Sequence, residues 1–192
     1  MALGKQAKVL SDAQQKSVIS YLTAKACPER NIVMFLLSVD AGLRAKEIAM
    51  LRWGMVMDAG GCLTDAIRLP DRATKGKSGG VVYMSSRLRK ALLDLARRQE
   101  RKASDAVVQS RRGTALTAQV VTNWFWHLYR NLGMDGCSSH SGRRTAITKW
   151  ARKISSVGGS LRDVQALARH SSLQMTQRYI EISQDACKRV VD

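Results

Sequence analysis

Ala168-Arg-His-Ser-Ser-Leu-Gln-Met-Thr-Gln-Arg-Tyr179 is the stretch on which the reading of this chain turns. It sets His170 nine residues before Tyr179, at the threshold of a segment with helical spacing. The periodicity predicts a helix over Leu173–Ile182, with Tyr179 on the same face as Met175. Read alone, such a tyrosine is a half-buried core residue and such a histidine a structural one.

Working outward, helical patterning dominates. Ser160-Leu-Arg-Asp163 is a capping box that opens a helix over Ser160–Arg169, and another helix covers about Arg143–Ile154. Thr117 caps a helix that turns Val121, Trp124, Phe125, Leu128 and Leu132 inward and stops at Gly133. Arg111-Arg-Gly113 is a basic turn, and Ser86–Arg101 is helical with Leu88, Leu92 and Leu95 as its apolar stripe. Near the start, Ser11-Asp-Ala-Gln14 is a capping box for a helix reaching about Lys25. Pro28 suits the first turn of a second helix that buries Ile32, Phe35, Leu36 and Val39, and Gly42 ends it in the left-handed conformation. A short helix follows at about Ala45–Leu51. Only Cys62–Met84 changes character: Ala66-Ile-Arg-Leu-Pro70 and Val81-Val-Tyr-Met84 read as strands around an exposed turn with lysines. The fold class is therefore mainly α with a small antiparallel β-sheet, an α+β architecture.

The 192 residues suit one domain, and 45% hydrophobic residues suffice for a core. Thirty-two Lys and Arg face 15 Asp and Glu, a net charge of +17. That excess, spread over nearly every segment, points to a polyanionic partner, since each neutralised phosphate releases condensed counterions. The longest apolar run, around Ile32–Ser38, is far short of a bilayer span, and no N-terminal apolar region stands out, so neither a membrane nor a secretory role is expected. Cys27, Cys62, Cys137 and Cys187 form no C-x-x-C pair and read as reduced thiols in or near the core.

Metal-dependent cutting of nucleic acid needs clustered carboxylates, and here the acids are sparse, so a two-metal nuclease is not expected. Phosphoryl transfer by side chains alone needs cations around the transition state, a nucleophile and a proton donor for the leaving oxygen. Four segments offer these: Ala41-Gly-Leu-Arg-Ala-Lys-Glu47 with Arg44, the turn carrying Lys75, His140-Ser-Gly-Arg143, and His170 with Tyr179. Each has a plainer reading taken singly. Arg44 and Glu47 make an ordinary i,i+3 ion pair, for instance, and Lys77 competes with Lys75.

The order of the four segments resembles the catalytic domain of the tyrosine recombinases, the phage-integrase family. That family shows G-L-R-x-x-E, a lysine in a β-turn, H-x-x-R, and His or Trp about nine residues before a tyrosine. Here these stand as Gly42-Leu-Arg-Ala-Lys-Glu47, Thr74-Lys-Gly76, His140-Ser-Gly-Arg-Arg-Thr145 and the Ala168–Tyr179 stretch. The resemblance covers about residues 10 to 185. Departures are local: Gly142 replaces the usual Leu, Arg144 a common His and Arg169 a frequent Gly, and Gly79 and Gly80 follow the lysine turn where an Arg is usual.

The resemblance implies a site-specific recombinase or integrase that cleaves and rejoins DNA through a 3′-phosphotyrosyl intermediate. Tyr179 is then the nucleophile, Arg44 and Arg143 clamp the phosphate, and His140 and His170 add hydrogen bonds. Lys75 protonates the leaving 5′-oxygen, and Glu47 supports the site. No metal, ATP or other cofactor is expected. The implied partners are double-stranded DNA and other recombinase protomers, with a synaptic tetramer on DNA and no membrane; the implied location is the cytoplasm, associated with the nucleoid, with a bacterial or phage origin. The expected organisation is one catalytic domain over residues 1–192 without an N-terminal core-binding domain. A type IB topoisomerase-like strand transferase and a non-catalytic DNA-binding regulator are the rival readings.

Overall fold

A computed structural model describes residues 6–71, 79–97 and 101–180. It is mainly helical with a two-stranded antiparallel sheet. The helices are α1 (Asp12–Thr23), α2 (Pro28–Val39), α3 (Ala45–Met50), α4 (Ser86–Ala96), α5 (Ala118–Asn131), α6 (Ser141–Ile154), α7 (Leu161–Ala168) and α8 (Leu173–Gln177). Strands β1 (Ala66–Leu69) and β2 (Gly80–Tyr83) pair Ala66 with Tyr83 and Leu69 with Gly80. Among the described residues, no helix is long and apolar enough to cross a membrane. The chain divides into two compact units, Met1–Ala146 and Ile147–Asp192.

In the first unit the core is organised on α2. Val33, Met34, Phe35, Leu36, Leu37, Ser38 and Val39 are all buried, whereas Ile32 is only partly so. The helix is thus covered nearly all round rather than along the single stripe its spacing predicts, because α1, α3 and α4 all pack on it. Each large apolar side chain removed from water here stabilises the fold by about 1.5–3 kcal/mol. The predicted capping box forms at α1: Gln14 N–H donates to Ser11 Oγ at 3.2 Å and Ser11 N–H to Gln14 Oε1 at 2.9 Å. At the other end of α2, Asp40 accepts from Ser85 Oγ at 2.5 Å and from Arg87 Nε at 2.6 Å, fastening α2 to the start of α4.

Two further helices of this unit differ from the sequence expectation. α4 ends at Ala96, well before Arg101; Arg101 Nη1 donates to the Ala96 carbonyl at 2.5 Å and its guanidinium lies 5.3 Å from the centre of the Trp53 ring. On α5, the buried set includes Tyr129 at 1% exposure, stacked on Phe125 at 6.0 Å; Trp124 and Leu132 are half-buried. Its phenol, buried with no hydrogen-bond partner for the hydroxyl among the described residues, is pushed well above its ordinary pKa by desolvation. Cys62, expected in or near the core, is instead exposed, in the turn after Asp58.

The second unit has its own small core, in which Ile147, Val164 and Ala168 are surrounded by Trp150, Ala151, Ile154, Leu161 and Tyr179. The capping box of α7 is present, with Ser160 N–H and Oγ donating to Asp163 Oδ2 at 2.7 and 2.8 Å. α8 stops at Gln177 instead of running to Ile182. Tyr179 N–H bonds Thr176 O and Ile180 N–H bonds Gln177 O, each at 3.0 Å, and this i to i−3 pattern tightens and ends the last turn. Tyr179 therefore sits just beyond the helix rather than on its face; residues from 181 onward lie outside the described part.

Candidate active site

Gly42 closes α2 with φ +62°, a left-handed conformation that costs a side-chain-bearing residue about 1–2 kcal/mol. The turn lets Leu43 N–H return to the Leu37 carbonyl at 2.9 Å and buries Leu43 completely. Arg44 follows in extended conformation as the residue capping α3. Glu47, whose side chain is 1% exposed, accepts from the Arg44 N–H at 2.8 Å through Oε2 and from Arg44 Nη1 at 2.9 Å through Oε1. Both carboxylate oxygens thus hold one arginine, backbone and side chain together, and the Arg44 side chain keeps 25% exposure. An arginine held this way has a fixed guanidinium orientation, the condition for bidentate donation to a phosphate.

Arg143 reaches the same turn from α6. It is 4% exposed, in the first turn of that helix, and its Nη1 donates to the Gly42 carbonyl at 2.6 Å. Gly142 makes this approach possible. A Cβ there would lie 2.8 Å from Ser38 Cβ and 3.1 Å from the Ser38 carbonyl carbon, closer than real side chains pack. His140 is exposed, immediately before α6, with its N–H donated to Ser138 Oγ at 3.3 Å. The first unit therefore brings Arg44, Glu47 and Arg143 to one turn, with His140 three residues before Arg143 in the chain. Lys75 and its competitor Lys77 lie outside the described residues.

In the second unit His170 and Tyr179 meet directly. Their rings stack with centroids 5.4 Å apart and 26° between planes. His170 is 6% exposed, and Arg169 before it takes a left-handed conformation, φ +53°, as α7 ends. Thr176, fully buried, sits 3.0 Å from His170 Nδ1 through its hydroxyl. Thr148 Oγ1 donates to the Tyr179 carbonyl at 3.3 Å, fixing the backbone that carries the phenol. Thr176 is not among the residues that the four motifs single out; its only signal in the sequence is its spacing, six residues after His170 and three before Tyr179.

Compared with known proteins, residues 8–185 match the model of the phage integrase family. The chain belongs to that family. This phage integrase family member is 28% identical over 186 residues to tyrosine recombinase XerC of Herpetosiphon aurantiacus, an alignment covering 93% of this chain and 57% of the relative. Its fold is shared with the XerA recombinase, at a TM-score of 0.72 and 21% identity, covering 99% of this chain and 64% of that one. It is shared too with the Tn1549 transposon integrase solved with a circular intermediate DNA, at 0.75 and 16%, covering 98% and 66%. The chain spans less than two thirds of the length of each of these proteins.

Proposed function

We propose that this chain carries the strand-transfer centre of a site-specific DNA recombinase. The observation that carries the reading is the 2.6 Å hydrogen bond from Arg143 to Gly42, which fixes a second arginine on the turn that presents Arg44. Two guanidiniums so placed suit the non-bridging oxygens of a phosphodiester, and family membership supplies the reaction. The Tyr179 hydroxyl attacks the scissile phosphorus, a 3′-phosphotyrosyl bond forms, and the bond to the 5′-oxygen breaks. Lys75 gives that oxygen its proton, and His140 assists the loss of the proton from Tyr179. His170 hydrogen-bonds the phosphoryl group, and Glu47 keeps Arg44 aimed. A 5′-hydroxyl from another strand then attacks the adduct and releases Tyr179, so phosphodiester energy is conserved without ATP.

The substrate is double-stranded DNA, to which a charge of +17 gives strong, salt-sensitive attraction. Exchange between two duplexes calls for further protomers, in a synaptic tetramer on DNA, and the working location is the cytoplasm at the nucleoid. The test is covalent capture. Incubated in EDTA with a pool of randomised nicked duplexes, the chain should retain radiolabelled DNA through boiling in SDS. No retained DNA, or retention only with magnesium, overturns the proposal.

A further inference from the structure

We infer that Thr176 is a positioning residue that holds His170 in the neutral tautomer carrying its proton on Nε2. The inference rests on the recombinase reading for its purpose, but its geometry lies wholly within Ile147–Asp192.

A buried hydroxyl must donate its proton to something, because leaving it unpaired costs about 1–3 kcal/mol. Thr176 is 0% exposed, and among the described residues His170 Nδ1, at 3.0 Å, is the hydrogen-bond partner of its Oγ1. Threonine on a helix commonly turns its hydroxyl back to the carbonyl four residues earlier. Among the described residues Thr176 makes no such bond to the Ser172 carbonyl; its Oγ1 is turned to His170 Nδ1 instead. The Thr176 proton therefore points to Nδ1, which must be the unprotonated, accepting nitrogen of the ring. The ring proton is then on Nε2, and Nε2–H is the donor that neutral His170 offers to a phosphoryl oxygen. The reverse tautomer would set Nδ1–H against the threonine oxygen and leave a buried hydroxyl proton with no acceptor among the described residues. The second function of the contact is orientation. With Nδ1 fixed by Thr176 and one ring face stacked on Tyr179 at 5.4 Å, rotation about the His170 side chain is blocked from two directions.

The imidazole 15N spectrum of the intact chain reads this directly, without DNA. At a pH where His170 is neutral, its Nδ1 should resonate as an acceptor nitrogen and its Nε2 as a protonated one. Thr176→Val, nearly isosteric, should lose that pattern and show mixed tautomers, and Thr176→Ser should restore it. In the capture assay, Thr176→Val should form adduct about 10- to 100-fold more slowly at unchanged DNA affinity, and Thr176→Ser should recover most of the rate. An Nδ1–H tautomer in the unsubstituted chain overturns the inference. So does a Thr176→Val spectrum identical to the parent, or a rate loss that Thr176→Ser does not repair. An Nε2–H tautomer that depends on Thr176 in a chain that forms no DNA adduct would uphold the contact and count against the recombinase reading alone.

Discussion

The guanidinium of Arg143 donates to the carbonyl of Gly42 at 2.6 Å across 101 residues of sequence. The bond can form only because α6 starts almost in contact with α2, and the residue at that contact, Gly142, has no side chain. In place of the leucine usual at this position, the chain pairs a glycine with Ser38, which is fully buried.

Gly142→Ala should accordingly destabilise the protein by about 2 kcal/mol, since the new methyl has to push α2 and α6 apart. Urea unfolding measures the loss. The cost should shrink when the same substitution is made in a Ser38→Gly background, because that change removes the atoms nearest the new methyl. Equal costs in both backgrounds would place the strain elsewhere.

Glu47 serves Arg44 with both oxygens. Glu47→Ala should lower stability by about 2 kcal/mol and free the Arg44 guanidinium from its fixed orientation. Glu47→Gln, which keeps one accepting oxygen, should lose about half as much. In the capture assay both variants should show a slower rate of adduct formation and little change in DNA affinity. A proportional fall in affinity would instead make Arg44 a backbone-positioning contact.

Much of this arrangement is legible in the sequence, for reasons that differ by element. Ser11 with Gln14, and Ser160 with Asp163, mark helix starts because a capping box is a local bargain between residues three apart. The strand pair is legible because β-branched runs flank a glycine-rich turn. What stays hidden depends on distant partners. Neither the contact of Arg101 with the Ala96 carbonyl and the Trp53 ring, nor the burial of Tyr129, follows from local spacing. The same holds for Tyr179. Helical periodicity carries through it, yet Thr176 turns to His170 and Thr148 takes the Tyr179 carbonyl, so the helix stops short. The motif order names Arg44, Glu47, Lys75, His140, Arg143, His170 and Tyr179. It does not name Thr176, whose role exists only once the ring of His170 is in place.

The carboxyl of Asp163 is held below its ordinary pKa chiefly by the backbone N–H of Ser160 and then by the Ser160 hydroxyl. A lowered native value means that its contribution is complete above the unfolded carboxylate range and is lost as pH falls through the native value. The start of α7 should therefore loosen in acid below the ordinary aspartate range. Amide exchange of residues 160–164 followed against pH should show this, and Asp163→Asn should flatten the profile. An unchanged acid limb in that variant would assign the effect to another carboxylate.

Peptide mapping of the captured complex tests the assignment of Tyr179 as nucleophile most directly. After nuclease trimming and proteolysis, the nucleotide should be found on the peptide containing Tyr179, linked through the phenolic oxygen to a 3′-phosphate. Tyr179→Phe should bind the same DNA and yield no adduct. A nucleotide on any other residue, or an adduct that survives in Tyr179→Phe, would contradict it.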